Sequence, residues 1–152
     1  MTQKPKIALY EPDIPQNTAA IIRTCACLGA KLEIIEPCGF LITDKRFKRV
    51  VMDYMNFSQI EFYESADRFF QEKKNQRIVL MTTKGTINYT NFKFKNNDTI
   101  LFGRESAGVP EKVHKLIENR LKIPMNNKLR SLNISSSVAI VLAESLRQIK
   151  II

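Results

Sequence analysis

The sequence predicts one α/β domain, spanning residues 1–152, built on a parallel sheet that helices cover on both faces. Strand-like and helical patterns alternate along the chain, and no repeat, low-complexity segment or long linker divides it. A chain of 152 residues also suits one sizeable core. The predicted strands are residues 6–10, 31–36, 60–63, 77–82, 99–103 and 121–124.

The first predicted helix opens at Asn17, a good amino-terminal cap, and closes at Gly29, a good carboxyl-terminal cap. Its inward-facing residues are expected to be Ile21, Ile22, Cys25 and Leu28. The second helix is predicted from residue 44 to residue 55. Its apolar stripe is expected to comprise Phe47, Val50, Val51 and Tyr54.

Three further helices follow. Ser65 is predicted to cap the third, and Pro110 falls in the first turn of the fourth, where its missing N–H costs nothing. The last helix, residues 135–148, is apolar on most sides, which is typical of a buried helix. Its apolar residues are Val138, Ala139, Ile140, Val141, Leu142, Ala143 and Leu146.

The chain carries a net charge of +9, from 24 Lys and Arg against 15 Asp and Glu. An excess of this size favours a polyanion partner, chiefly nucleic acid, although it would also serve solubility alone. Its distribution favours the first interpretation, since basic residues cluster on the second helix and flank two loops described below. These residues are Lys45, Arg46, Lys48 and Arg49 in the cluster, and Arg104, Lys128 and Arg130 beside the loops.

The sequence also indicates the cellular compartment in which the protein works. No stretch approaches the ~18 uninterrupted apolar residues of a membrane span, and the amino terminus lacks the apolar region of a signal peptide. Cys25 and Cys27 lie two residues apart on a predicted helix and so point to different faces, while Cys38 lies in a loop. We therefore expect a reduced, cytoplasmic protein without a membrane partner.

Several kinds of chemistry lack their signatures. His114 is the only histidine and falls on a predicted helix, where a solvated side chain is expected. A zinc site and a Ser-His-Asp hydrolase are therefore both disfavoured, and we expect no metal. The chain contains neither a G-x-G-x-x-G after a strand nor a G-x-x-x-x-G-K-S/T segment, so nucleotide-binding fingerprints are missing.

Two polar loops follow predicted strands, residues 101–110 and 123–133, and each runs into a helix. Such loops form a pocket at the carboxyl edge of a parallel sheet, where open α/β folds bind ligands. Gly103 would let a ligand approach the backbone, and Glu105 would add a carboxylate at the rim. Alternatively, this segment is a turn with a solvated glutamate, and the serines and Asn133 merely cap the last helix.

An arginine also interrupts the apolar first helix. Arg23 is expected to meet an anion or to reach a pocket, because a guanidinium among apolar residues needs such a partner. Asn17 lies six positions earlier, and the preceding loop could bring both residues to one cleft. The alternative is that Asn17 only caps the helix.

Taken together, these segments resemble the SPOUT-type S-adenosylmethionine-dependent RNA methyltransferases over essentially the full chain. The segment from Asn17 to Arg23 resembles the first family motif, residues 102–110 the second, and residues 123–133 the third. Residues 9–12, 35–40, 53–54 and 82–86 are similar to the subfamily that methylates the ribose 2′-hydroxyl of the tRNA wobble nucleotide, a cytidine or modified uridine at position 34. Arg104 departs from the pattern, since close relatives often carry proline there.

The resemblance implies a carboxyl-terminal trefoil knot and S-adenosyl-L-methionine as the methyl donor. Backbone groups at strand ends would hold this cofactor, at Met81, Gly103, Ile123, Ser131 and Leu132. It further implies a homodimer that binds the tRNA anticodon stem-loop, with the first-motif arginine reaching the site of the other subunit.

For catalysis, the resemblance implies that Arg23 is the base or activates the hydroxyl together with a substrate phosphate. We favour phosphate anchoring, because arginine keeps its proton at physiological pH. Asn17 would orient the arginine or the ribose, and Glu105 and Asn133 would shape the pocket.

Two alternatives stay open at this point. One is a ribosomal RNA 2′-O-methyltransferase of the same fold, many of which carry an extra amino-terminal RNA-binding domain, whereas this chain starts directly at its first strand. The other is a non-catalytic RNA-binding protein, for which loss of Arg23 or of the loop Ser131-Leu132-Asn133 would be expected; both are present.

Overall fold

The structure is a computed structural model that describes residues 3–54, 59–126 and 132–152, apart from the side chain of Val50. Strands and helices alternate along most of the chain. In chain order they are β1 (Lys6–Tyr10), α1 (Pro15–Leu28), β2 (Leu32–Ile35), α2 (Lys45–Tyr54), β3 (Ile60–Tyr63), α3 (Ala66–Glu72), β4 (Ile78–Met81), β5 (Ile87–Asn88), β6 (Thr99–Phe102), α4 (Glu111–Leu116), β7 (Asn119–Lys122) and α5 (Ile134–Gln148). A short 3₁₀ turn, Tyr89–Asn91, follows β5.

The strands form one sheet in the order β3-β2-β1-β6-β4-β7-β5, and every pairing is parallel. Successive residues of β1 point to opposite faces, so Ile7 and Leu9 join one apolar cluster and Ala8 and Tyr10 join another. The first cluster includes side chains of α1, α2 and α5, and the second includes side chains of α3 and α4. The predicted parallel sheet with helices on both faces is therefore confirmed.

Strand β7 lies between β4 and β5, which are joined only by residues 82–86. The Thr82 and Thr86 amides donate to carbonyl oxygens of β7 at 2.9 and 3.3 Å. Only glycine fits at residue 85, because a Cβ there would lie 2.3 Å from the carbonyl carbon of Leu121. The implied trefoil knot stays a prediction, since the path of residues 127–131 lies outside the described residues.

Several boundaries differ from the prediction. Strand β5 was not predicted, because a two-residue strand leaves no periodic pattern to detect. Strand β7 begins at Asn119, two residues before the predicted start. Pro110 is the residue before α4 rather than a member of its first turn. The caps at Ser65 and Gly29 are confirmed: the Ser65 hydroxyl accepts from the Arg68 amide at 3.1 Å, and Gly29 has φ +71°.

Two helices are less buried than predicted. On α5, the residues that face the sheet are fully buried, yet Ile140 is 38% exposed, so the helix is not enclosed on all sides. On α2, Phe47 and Val51 are buried as predicted, whereas Tyr54 is 41% exposed and lies outside the buried stripe. Both helices thus present apolar surface outward.

Candidate functional site

A cavity of about 410 Å³ lies at the carboxyl ends of β4 and β6. Its other walls come from the first residues of α1 and α5 and from the segment after β7. This is the edge at which parallel α/β sheets bind ligands, as the sequence predicted.

Most of the predicted site residues line this cavity. Of the predicted cofactor-binding residues, Met81, Gly103, Ile123 and Leu132 line it, and Ser131 lies outside the described residues. Of the predicted catalytic residues, Asn17, Glu105 and Asn133 line it. The fold therefore brings together three strand ends and two helix starts that are far apart in the sequence.

Asn17 does not cap α1, contrary to the prediction. The helix begins at Pro15, a favoured residue for the first helical position, and Ile14 precedes it without any side-chain hydrogen bond to the helix. The Asn17 side chain is consequently available, and its Oδ1 accepts a hydrogen bond from Asn133 Nδ2 at 3.1 Å. This contact joins the starts of α1 and α5 at the cavity wall.

Asn133 does act as a cap, one of the alternatives considered above. Its Oδ1 accepts from the Ser135 amide at 2.9 Å at the start of α5. The same side chain therefore caps the start of α5 and donates to Asn17, so both asparagines are held in one orientation.

Glycine is required at residue 103 for a different reason from the one predicted. A Cβ at Gly103 would lie 2.6 Å from Gly108 Cα and 2.9 Å from the Val109 amide nitrogen. The Arg104 and Gly108 backbones exchange hydrogen bonds of 3.2 and 2.8 Å, which close the loop. The close approach that Gly103 permits is thus that of the loop's own backbone, and this folded loop forms one wall of the cavity.

Charged side chains meet at the rim beside this loop. Arg104 Nε lies 3.5 Å from Asp13 Oδ2, and its Nη1 lies 3.8 Å from Glu11 Oε1. The Asp13 amide donates to Glu105 Oε2 at 2.9 Å. Burial and a hydrogen bond with Asp13 raise the pKa of Glu105, so the alternative of a solvated glutamate is wrong. Asp13 was not predicted as a site residue, because nothing in the sequence links it to a residue 92 positions away.

Arg23 does not line the cavity of its own chain. It is exposed on α1, and its guanidinium carbon lies 5.2 Å from the centre of the Tyr54 ring on α2. The cavity of this chain therefore holds Asn17 without Arg23, and a cleft shared by both residues stays a prediction. Four exposed basic residues share α2 with Tyr54, namely Lys45, Arg46, Lys48 and Arg49.

The described residues contain no group of three His, Cys, Asp or Glu that could hold a metal ion, and none of their helices is long and apolar enough to cross a membrane. The His114 side chain is half-buried rather than solvated, with Nδ1 3.0 Å from an Arg120 guanidinium nitrogen. All three cysteines are free, with Cys25 buried and Cys27 exposed, as their spacing predicted.

Comparison with known proteins matches this chain to one family. A family model described as the SpoU rRNA Methylase family matches residues 4–143. A tRNA (cytidine(34)-2′-O)-methyltransferase of Beijerinckia indica is 46% identical over 145 residues, which cover 94% of this chain and 91% of that protein.

Solved structures match as well. One, described as giving structural insights into the 2-OH methylation of C/U34 on tRNA, is 33% identical, with a TM-score of 0.91 and 99% of each chain covered. The SpoU methyltransferase AviRb from Streptomyces viridochromogenes, solved in complex with the cofactor AdoMet, has a TM-score of 0.85 at 22% identity, with 98% of this chain and 61% of that chain covered. At that identity the second likeness concerns the fold alone.

Proposed function

The chain belongs to the SpoU rRNA methylase family, and from this premise we propose that it methylates the ribose 2′-hydroxyl of nucleotide 34, the wobble position, in tRNA. The methyl donor is S-adenosyl-L-methionine. The observation that carries this proposal is the cavity at the ends of β4 and β6, where residues of all three family motifs meet. Relatives of nearly the same length, named for this reaction, support the choice of substrate.

The cavity fits the proposed cofactor. Its volume of about 410 Å³ lies within the roughly 300–1,000 Å³ of small-molecule sites. Leu132 and Ile134 provide apolar walls suited to an adenine ring, and the Thr82 and Thr83 hydroxyls provide hydrogen-bonding groups. Backbone groups at Met81, Gly103 and Ile123 would complete the binding site, together with Ser131 from the segment outside the described residues.

When bound, S-adenosylmethionine supplies a methyl group activated on a sulfonium. The work left to the protein is positioning, because transfer requires the ribose oxygen to be held in line with that group. The joined Asn17 and Asn133 side chains present amide groups to a ribose at the cavity wall. Glu105 shapes the same wall, and no step requires a metal ion.

Arg23 anchors a phosphate of the tRNA rather than accepting the hydroxyl proton, since arginine keeps its proton at physiological pH. It acts at the cavity of the other subunit in a homodimer. Its exposure, away from the cavity of its own chain, supports this arrangement. Partly exposed apolar side chains also support a covering second copy, with Ile14 40%, Leu132 41% and Ile140 38% exposed.

The basic residues of α2 provide the electrostatic attraction for the anticodon stem-loop. They are exposed, they lie on a helix that packs against α1, and they outnumber the acidic residues of that helix. Phosphate contacts of this kind position an RNA without reading its sequence. Affinity for tRNA is therefore expected to fall steeply as the salt concentration rises, whereas cofactor affinity is expected to change little.

The test is methyl transfer from labelled S-adenosylmethionine to a tRNA transcript, with cofactor affinity measured in parallel. Arg23→Ala is expected to abolish transfer while cofactor affinity stays unchanged, and Arg23→Lys is expected to be poor because an ammonium lacks the planar fork. Mixing inactive Arg23→Ala subunits with inactive Gly103→Val subunits is expected to restore activity, since a hybrid dimer keeps one complete site. Near-normal transfer by Arg23→Ala would remove this residue from the mechanism, and a mixture that stays inactive would contradict the shared site.

A further inference from the structure

We propose that Asp13 and Glu105 hold one proton between their carboxyl groups, and that Asp13 is the positioning residue that keeps Glu105 in the cavity wall. The sharing of the proton does not depend on the proposed function. Its consequence for methyl transfer rests on the proposed function.

The first observation is that the Asp13 backbone contacts the Glu105 carboxyl group across 92 residues of sequence. The Asp13 amide donates to Glu105 Oε2 at 2.9 Å, and a side-chain hydrogen bond between the two carboxyl groups lowers the pKa of Asp13 and raises the pKa of Glu105. Each carboxyl group then keeps one buried oxygen without a hydrogen-bond partner, Oδ1 of Asp13 and Oε1 of Glu105. Two ionised carboxylates in this position would repel, whereas one proton between them gives each group a partner.

The second observation identifies the carboxyl group that carries the proton. Asp13 Oδ2 accepts a short hydrogen bond from the Ser106 hydroxyl, and Arg104 Nε lies 3.5 Å from the same oxygen. Both contacts favour a charged Asp13. Glu105 is half-buried in the cavity wall, where burial disfavours its charged form. Glu105 is accordingly the protonated member and Asp13 the ionised one.

The other charged groups at this rim do not supply an alternative proton. The Glu11 carboxylate lies 3.8 Å from the Arg104 guanidinium and balances part of its charge. From the neighbouring loop, Glu36 and Cys38 also face this region, and burial raises the pKa of the Cys38 thiol to about 12, so it stays neutral. Among the described residues, the pair thus faces the Arg104 guanidinium and the carboxylates of Glu11 and Glu36.

The pair makes the site sensitive to a rise in pH through the raised Glu105 pKa. Burial, followed by the hydrogen bond to Asp13, raises the pKa of Glu105, so the contribution of its protonated form is complete below the ordinary glutamate pKa and is lost as pH rises through the raised value. The hydrogen bond with Glu105, followed by that from Ser106, lowers the pKa of Asp13, so its contribution is lost as pH falls through the lowered value. At a pH above the raised Glu105 pKa, both carboxyl groups would be ionised, and their repulsion would push residues 103–108 away from residue 13 and open the cavity wall.

The deciding experiment is a ¹³C NMR titration of the Glu side-chain carboxyl carbons in the full-length protein. In the unsubstituted chain, the Glu105 signal is expected to titrate above the ordinary range of exposed glutamate side chains, because its pKa is raised. In Asp13→Asn, the new amide donates to Glu105 without a shared proton, so the Glu105 titration is expected to move down into the range of the exposed glutamates. Asp67→Asn, an exposed aspartate far along the chain, is the matched control and is expected to leave the Glu105 titration unchanged.

A second readout is cofactor affinity as a function of pH. The unsubstituted protein is expected to lose affinity as pH rises through the raised Glu105 pKa, and Asp13→Asn is expected to lose this dependence. Asp13→Ala leaves Glu105 unpaired and is expected to weaken cofactor binding about tenfold at neutral pH. If Glu105 of the unsubstituted protein titrates in the ordinary range of exposed glutamates, that result alone overturns the proposal. Because that titration does not depend on methyl transfer, failure of the shared proton is distinguishable from failure of the proposed function.

Discussion

Gly103→Ala is expected to destabilise the protein and to weaken cofactor binding together. The added Cβ would lie 2.6 and 2.7 Å from Gly108 Cα and carbonyl carbon, whereas ordinary contacts are 3.4–4 Å. Because the atoms that the Cβ would meet belong to the backbone, no side-chain rotation relieves the clash. Residues 103 and 108 therefore have to separate by several tenths of an ångström. Forcing extra atoms into a packed site costs about 1–3 kcal/mol. For a chain of this length that corresponds to a fall in Tm of about 2–12 °C.

A matched control separates the two effects. Gly29 has a positive φ, +71°, so alanine there is strained by about 1–2 kcal/mol, but Gly29 lies at the end of α1 and does not line the cavity. The atom nearest to its added Cβ is the end of the flexible Lys4 side chain, which can move away. Gly29→Ala is therefore expected to lower Tm while cofactor affinity stays unchanged.

Calorimetric titration with S-adenosylmethionine and thermal unfolding of both variants form the assay. Gly103→Ala is expected to lose at least about fivefold in affinity, the equivalent of about 1 kcal/mol at the lower end of the distortion energy. A normal Tm and a normal affinity in Gly103→Ala would refute the predicted clash between the added Cβ and the Gly108 backbone. Equal loss of affinity in both variants would show that binding follows global stability rather than this wall.

Three further outcomes follow from packing and charge. Asp98 is buried and accepts two hydrogen bonds from Arg77 at 2.7 and 2.6 Å. In denaturant titration, Asp98→Ala is expected to lower the protein's free energy of unfolding by about 1.5–3 kcal/mol, whereas Asp67→Ala, at an exposed residue, is expected to lower it little. Alkylation at pH 8 followed by mass spectrometry is expected to modify Cys27 first, because Cys25 is buried and its burial raises its pKa to about 12; equal rates would contradict the described packing of α1. Methyl transfer is expected to persist in excess EDTA, and its loss would contradict a metal-free mechanism.

Much of the strand and helix order could be predicted from the sequence because the strands β1, β2, β4 and β6 are buried on both faces and so form distinct apolar runs. The strands 6–10 and 60–63 have the predicted bounds. Strand β5 could not be predicted, since its two residues are in the sheet only because β7 lies beside them. Tertiary pairing of this kind leaves no mark in local periodicity.

The candidate site was partly predictable for a related reason. Gly103, Glu105 and Asn133 belong to motifs that resemblance identifies, and all three line the cavity. Asp13 could not be identified, because its importance arises from a carboxyl group that the fold brings to it from another loop. The availability of Asn17 also depended on where α1 begins, and a cap-forming residue two positions inside a helix looks the same in sequence as a true cap.

The most direct test of the proposed function is nucleoside mass spectrometry of tRNA from cells that lack this protein. Loss of 2′-O-methylation at nucleotide 34 is expected, and it is restored by the gene for the unsubstituted protein and not by the gene for Arg23→Ala expressed at an equal level. Unchanged methylation at that position, or restoration by the Arg23→Ala protein, would contradict the proposed function.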